Sequence, residues 1–314
     1  MYEKRFIAKA IERSAETAVD RRKLLTLTGL AGAGAAAAAL LPAGAASAST
    51  VSDGSVLNFA LNLEYLEAEF YLRAAYGEGL PDSMTSGKGE RGRVHGGHRV
   101  PFRSAKIRNY AHEIAKDEKQ HVEFLRAALG SAKVAQPEIA LDAAFTAAAQ
   151  AAGLIAKGQK FDAFANDNNF LLAAFIFEDV GVTAYKGAAP LISNKTYLSA
   201  AAGILAVEAY HAGLIRTSLY DEGFEAAGIF DAVQKISNVR DSVDGARDDD
   251  QGIGNKGHSN IVPADKNAIA FGRSPGQVLN IVYLNSEAVT RGGFFPHGVN
   301  GAIRRSGDND GAGR

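Results

Sequence analysis

Two stretches of this chain, KDEKQHVEFLR (residues 116–126) and VEAYHAGLIR (residues 207–216), contain the same short motif, a glutamate followed three residues later by a histidine. The pairs are Glu118 with His121 and Glu208 with His211. Three residues is close to one helical turn, so on a helix both side chains of a pair project from one face. The second stretch is otherwise small and apolar, the texture of a buried helix. A carboxylate there is costly unless something compensates its charge. A metal ion is one compensator, and Glu-x-x-His is a spacing that helix-bundle metal sites use. A single match is weak, because the same spacing arises by chance, as a surface pair or as a satisfied core histidine.

The match is not single. Superposing the two stretches also brings Ile114 onto Ile204, Arg126 onto Arg216 and Leu129 onto Leu219. Upstream of each lies a second matched pair of segments, LNLEYLEAEFYLRAA (61–75) and FIFEDVGVTAYKGAA (175–189). They align Glu64 with Glu178 and Tyr71 with Tyr185. The chain therefore contains a duplicated helical hairpin, each copy reading Glu-x6-Tyr and then Glu-x2-His.

The surrounding pattern sets the architecture. Residues 55–76 place Leu57, Ala60, Leu61, Glu64, Ala68 and Tyr71 on one helical face and stop at Gly77. A glycine-rich, basic loop (77–103) leads to a second helix over 104–129, stopped by Gly130. A long connection follows, with LDAAFTAAAQAAGL (141–154) forming a helix of its own, since long bare loops are rare. A third helix is expected from about Asn166 to Ala189, before Pro190, and a fourth, capped by Ser193, to Tyr220. Two hairpins joined by a long crossover predict an all-α fold, a ferritin-like four-helix bundle over residues 52–222. Residues 223–314 read as a mostly irregular extension packed on the bundle. A helix is expected near 223–240, and a short one opens at SPGQ, with Ser274 as N-cap, Pro275 at the first position and Gln277 completing a capping box.

Composition narrows the chemistry. The 314 residues include no cysteine, so disulfides, zinc–thiolate sites, iron–sulfur clusters and cysteine nucleophiles are excluded. Any metal must be held by nitrogen and oxygen. Residues 1–48 carry paired arginines (Arg21, Arg22), a weakly apolar run and ASA at 46–48, the layout of a cleaved twin-arginine export signal. The run Leu24–Leu41 is so rich in alanine and glycine that it makes a poor permanent anchor. No stable membrane span is expected after cleavage, and the mature protein is expected in the periplasm or secreted. Its acidic balance offers no platform for nucleic acid, and RDDDQG (247–252) reads as a solvated loop.

Four such helices direct the carboxylates of Glu64, Glu118, Glu178 and Glu208 and the imidazoles of His121 and His211 toward one axis. Four carboxylates neutralise two divalent cations, and oxygen-rich ligands with imidazole favour iron or manganese. Residues 52–222 resemble the ferritin-like superfamily. The tail stretches GRSPGQVLNIVYL (272–284) and GGFFPHGVNGAI (292–303) resemble its desiccation-related branch. The resemblance implies a carboxylate-bridged dinuclear site of two iron or two manganese ions and a link to drying or oxidative stress. It makes Glu64, Glu118, His121, Glu178, Glu208 and His211 the ligands, with Glu118 and Glu208 bridging. The long 77–103 loop and the tail depart from cage ferritins, so a homo-oligomer is compatible with the sequence but a closed shell is not expected.

Other residues have two readings each. Glu67, one turn from Glu64, is an extra ligand or proton relay, or else a surface charge; its repeat counterpart is Gly181. Tyr71 and Tyr185 either serve the ligand glutamates, as hydrogen-bond donors or electron sources, or simply pack the core. Arg126 and Arg216 read as helix-end charges, His95 and His98 as surface-loop residues or else as groups that gate the site or bind a stray metal, His112 and His297 as structural. Asp117 and Asp179 adjoin ligands in sequence and are expected to face elsewhere.

The expectation is an exported redox protein acting on peroxide or dioxygen. The alternative is a non-catalytic stress or envelope-binding protein whose metals only staple the bundle. Export is directly testable: the mature chain is expected to begin at Ser49, and replacing Arg21 and Arg22 by lysine to hold it in the cytoplasm. Recovery of Met1 by N-terminal sequencing of envelope material would contradict this.

Overall fold

The computed structural model describes residues 51–226 and 228–307; the export signal expected over residues 1–48 lies outside them. Four long helices form the bundle: α1 (Asp53–Tyr76), α2 (Ala105–Leu129), α4 (Asp167–Ala188) and α5 (Lys195–Glu225). Each starts where a side chain accepts an otherwise orphaned N–H. Ser52 accepts from Ser55, Ser104 from Ile107, and Asn166 from Asn169. At α5 the cap is Asn194 rather than Ser193. The N–H of Ser193 instead donates to Asp53 Oδ1 at 2.8 Å and that of Asn194 to Oδ2 at 2.9 Å, tying the head of α5 to that of α1. Helix α1 ends at Gly77, whose φ of 83° is the left-handed conformation that glycine adopts at low cost. Helix α5 continues past Tyr220 to Glu225.

Helix α1 packs along α2, and α4 along α5; contacts of α1 with α4 and of α2 with α5 close the bundle. The crossover carries α3 (Leu141–Ala151), as its alanine-rich apolar pattern predicts. Its strand β2 (Ile139–Ala140) pairs in parallel with β1 (Val94–His95) of the 77–103 loop. After α5 come α6 (Gly228–Asp244), a small hairpin of β3 (Gly254–Asn255) with β4 (His258–Ser259), and α7 (Pro275–Tyr283). Helix α7 has the full Ser274–Gln277 capping box. Helix α6 packs on α5 and α4, and α7 on α6 and α4.

The non-bundle segments share the core. Phe70 sits among Phe145, Phe164, Phe170 and Phe177, with ring centroids 5.3 to 5.6 Å away. Phe294 of the tail adds edge-on contacts to Phe145 and Phe177 at 5.1 and 5.0 Å.

Two further sequence expectations are corrected here. Arg126 and Arg216 are not solvated helix-end charges; both are buried. Arg126 donates to Tyr65 Oη, to the Ser86 carbonyl at 2.7 Å and to the Ser83 carbonyl at 3.1 Å, gripping the 77–103 loop. Arg216 donates to Asp179 Oδ2 and to the carbonyls of Gln251, Gly252 and Asn260, gripping the C-terminal extension. The repeat thus reuses one arginine to anchor two unrelated segments. The partners match too: Tyr65 and Asp179 occupy equivalent positions of α1 and α4 in the repeat. Nor is RDDDQG wholly a solvated loop. Asp249 and Asp250 are buried, and Asp250 pairs with Arg240 at 2.8 Å and with Arg273. The guanidinium groups supply the compensation that burial of those carboxylates demands.

Removing one member of this network strands the others in a dry site. Asp250→Ala is expected to destabilise the fold by about 3–5 kcal/mol, read as a lower denaturant midpoint.

Candidate metal centre

The repeat brings all six expected ligands together at the bundle axis, and all six are buried. Potential ligand atoms of Glu64, Glu118, His121 and Glu208 lie within 4.8 Å of one another, and those of Glu178, Glu208 and His211 form a second such group. Glu208 belongs to both. Glu118 also spans them, with Oε1 3.0 Å from His211 Nδ1 and Oε2 3.5 Å from His121 Nδ1. His121 Nδ1 further approaches Glu64 at 3.2 Å and Glu208 at 3.5 Å, while His211 Nδ1 lies 3.7 Å from Glu178. The two imidazole centroids are 6.4 Å apart.

The fit of this set to metal is tested by its unused atoms. Glu64 Oε2, Glu178 Oε2, both oxygens of Glu118 and of Glu208, and Nδ1 of each histidine are buried without a hydrogen-bond partner among the described residues. Buried polar atoms are ordinarily paired. Unpaired atoms that converge from four helices in two overlapping groups have the donor types for hard or borderline cations.

The atoms facing away from the axis are, by contrast, engaged. Tyr71 of α1 donates its hydroxyl to Glu178 Oε1 of α4, and Tyr185 of α4 donates to Glu64 Oε1 of α1. This reciprocal pair fixes each carboxylate with one oxygen held and the other turned inward. Each tyrosine thus hydrogen-bonds to one of the expected ligands. His211 Nε2 lies 3.3 Å from Asp117 Oδ2, the outward carboxylate contact that orients metal-binding histidines. Asp117 thus does not face elsewhere, as its sequence position suggests. Its counterpart in the repeat is Val207, so periodicity gave no signal for it. Asp179 does face away from the ligands, into the arginine network.

Glu67 is buried, not a surface charge, and its Oε2 has no partner among the described residues. Its repeat counterpart, Gly181, leaves room for Glu208. A Cβ at Gly181 would come within 2.3 Å of Glu208 Oε2, and Glu67 Oε1 lies 3.6 Å from the same point. One repeat supplies a carboxylate where the other must have nothing.

Like charges at such density distort their own ionisation. Burial, partly offset by His121, pushes the Glu64 carboxyl up to about 8. Burial and the neighbouring carboxylates hold Glu67 well above the usual carboxylate range, and burial also raises Glu178 and Glu208. Burial opposes charging His211, yet the Asp117 carboxylate at its Nε2 and the Glu118 and Glu178 carboxylates beside its Nδ1 prevail and raise it to about 11. His121 is raised as well, by Glu64 and Glu118 against its burial.

The remaining histidines stay apart from the cluster. His95 and His297 approach Glu138, His98 approaches Asp162, and His112 packs against Tyr76 with centroids 4.8 Å apart.

Comparison with known proteins bears on this centre. The ferritin-like domain family matches residues 52–221. The desiccation-related protein PCC13-62 of Craterostigma plantagineum is 32% identical over 267 residues, 80% of this chain and 83% of that protein. The ferritin-like catalase Nec2 of Nesocodon mauritianus is 28% identical over 268 residues, 81% of this chain and 85% of that one. No solved structure matches. The likeness to both relatives extends well beyond the bundle, and the chain belongs to the ferritin-like superfamily, in its desiccation-related branch.

Proposed function

We propose that this protein is an exported redox protein that binds two iron or two manganese ions and acts on peroxide, protecting the envelope under drying or oxidative stress. The observation that carries this reading is the set of buried, unpartnered ligand atoms in two groups that share Glu208. The name of one relative, a ferritin-like catalase, favours peroxide over dioxygen. Glu64, Glu118 and His121 would hold one ion and Glu178 and His211 the other, with Glu118 and Glu208 common to both. Two redox-active ions, when bound, supply the two-electron change that peroxide chemistry requires.

The residues around them have separable tasks. Tyr71 and Tyr185 restrain the terminal carboxylates, and Asp117 sets the orientation of the His211 ring. In this reading Glu67 carries protons: its buried Oε2 has no partner among the described residues, and its carboxyl is held well above the usual range. The closely packed bundle keeps bulk water from the ligands.

Glu208→Ala and His211→Ala are each expected to lose at least one of the two ions, measured by elemental analysis of protein purified from its native compartment. Glu67→Ala is expected to keep both ions but to slow oxygen release from peroxide by about 10²-fold. A fully loaded parent that leaves peroxide untouched would sink the catalytic reading and leave the metals a structural role.

The raised ionisations set a pH dependence. The folded Glu64 carboxyl keeps its proton from 4.5 up to about 8, where the unfolded one has lost it. Protein stripped with a chelator is therefore most stable in mild acid. It is expected to lose stability as pH rises through that window, by up to about 1.4 kcal/mol per pH unit from Glu64 alone. His211, raised from 6.5 to about 11, acts in the same direction. Metal-loaded protein should show the reverse, since protons compete with metal for the same atoms. Denaturant midpoints of both forms across this range check the crossing.

A further inference from the structure

Between Lys195 and Asp221, the only Lys, Arg, His, Asp or Glu residues of α5 are Glu208, His211 and Arg216, and all three are buried inside the bundle. Among the described residues, α5 is the one helix long and apolar enough to cross a membrane, yet only 33% of its most apolar window is buried. Its outer face therefore presents Ala202, Gly203, Ala206, Ala209 and Tyr210 to solvent with no formal charge. Tyr210 is 78% exposed. Extended uncharged faces of this kind mark contact surfaces, and small residues permit close approach of a second helix.

Beside this face lies a cavity of about 110 Å³, lined by Ala209, Ala212 and Gly213 of α5 and roofed by the 261–271 segment, where Val262 is 78% exposed. Two buried aspartates also line it, Asp179 and Asp249. Each has one buried oxygen, Asp179 Oδ1 and Asp249 Oδ2, without a hydrogen-bond partner among the described residues. The cavity is thus a mainly apolar socket next to an exposed aromatic side chain.

We propose that this face of α5 is the interface of a symmetric dimer, in which the Tyr210 ring of each copy enters the other copy's cavity. The end charges fit a second copy. Tyr210 lies midway between Lys195 and Glu225, both exposed. An antiparallel crossing of two α5 helices near Tyr210 sets Lys195 of each copy opposite Glu225 of the other. The result is an uncharged centre with a charged rim, the usual anatomy of such contacts, and a C2 interface needs this self-complementarity. The proposal does not depend on the metal reading.

Sedimentation of the mature protein at about 100 µM is expected to give a dimer. Tyr210→Glu is expected to give a monomer with unchanged metal content and helicity. Tyr210→Phe, which keeps the ring, is expected to leave the dimer intact, and Tyr210→Ala to weaken it by roughly 10-fold. A monomeric parent at that concentration, or a dimer that survives Tyr210→Glu, would overturn the proposal. Binding of a monomeric parent to phosphatidylglycerol vesicles, abolished by Tyr210→Glu, would overturn it too and assign the face to a membrane surface.

Discussion

Five carboxylates, those of Glu64, Glu67, Glu118, Glu178 and Glu208, are buried in the middle of one four-helix bundle, with only two imidazoles among them. Such a concentration of like charge tolerates few solutions. The groups can take up protons, as the raised ionisation of Glu64 and Glu67 indicates, or they can share cations. The rest of the bundle is arranged around that choice. Two tyrosines hold the outer carboxylate oxygens, Asp117 backs His211, and Gly181 leaves the room that Glu208 occupies.

Duplication builds the centre, and the departures from duplication give it direction. The tyrosine–glutamate contacts run both ways between α1 and α4, so the two halves brace each other. Arg126 and Arg216 hold equivalent places, yet one fastens the 77–103 loop and the other the C-terminal extension. The symmetry fails at two points beside the cluster, Glu67 against Gly181 and Asp117 against Val207. The two groups of ligand-type side chains are therefore inequivalent, with one histidine backed by a carboxylate and one flank carrying a spare acid.

What was legible in the sequence was local. Helical spacing and its repetition were enough to bring six residues from four helices to one axis, and the cap of α7 could be read from four letters. Contacts between distant segments were not legible. A long cation near a helix end looks the same whether water or buried carbonyls receive it, so the grips of Arg126 and Arg216 stayed hidden. The aspartates of residues 247–252 read as solvated because Arg240 and Arg273, which neutralise Asp250, enter from elsewhere in the chain. The N-cap of α5 fell on Asn194 because Asp53, far back in sequence, takes the N–H of Ser193.

The central claim is that the buried carboxylates are balanced by two metal ions. Anomalous X-ray diffraction at the iron and manganese absorption edges, from crystals of protein purified from its native compartment, tests it most directly. Two peaks are expected at the bundle axis, one near His121 and one near His211, with Glu118 and Glu208 reaching both. A single peak, or none, from protein grown with ample iron and manganese would contradict the dinuclear centre.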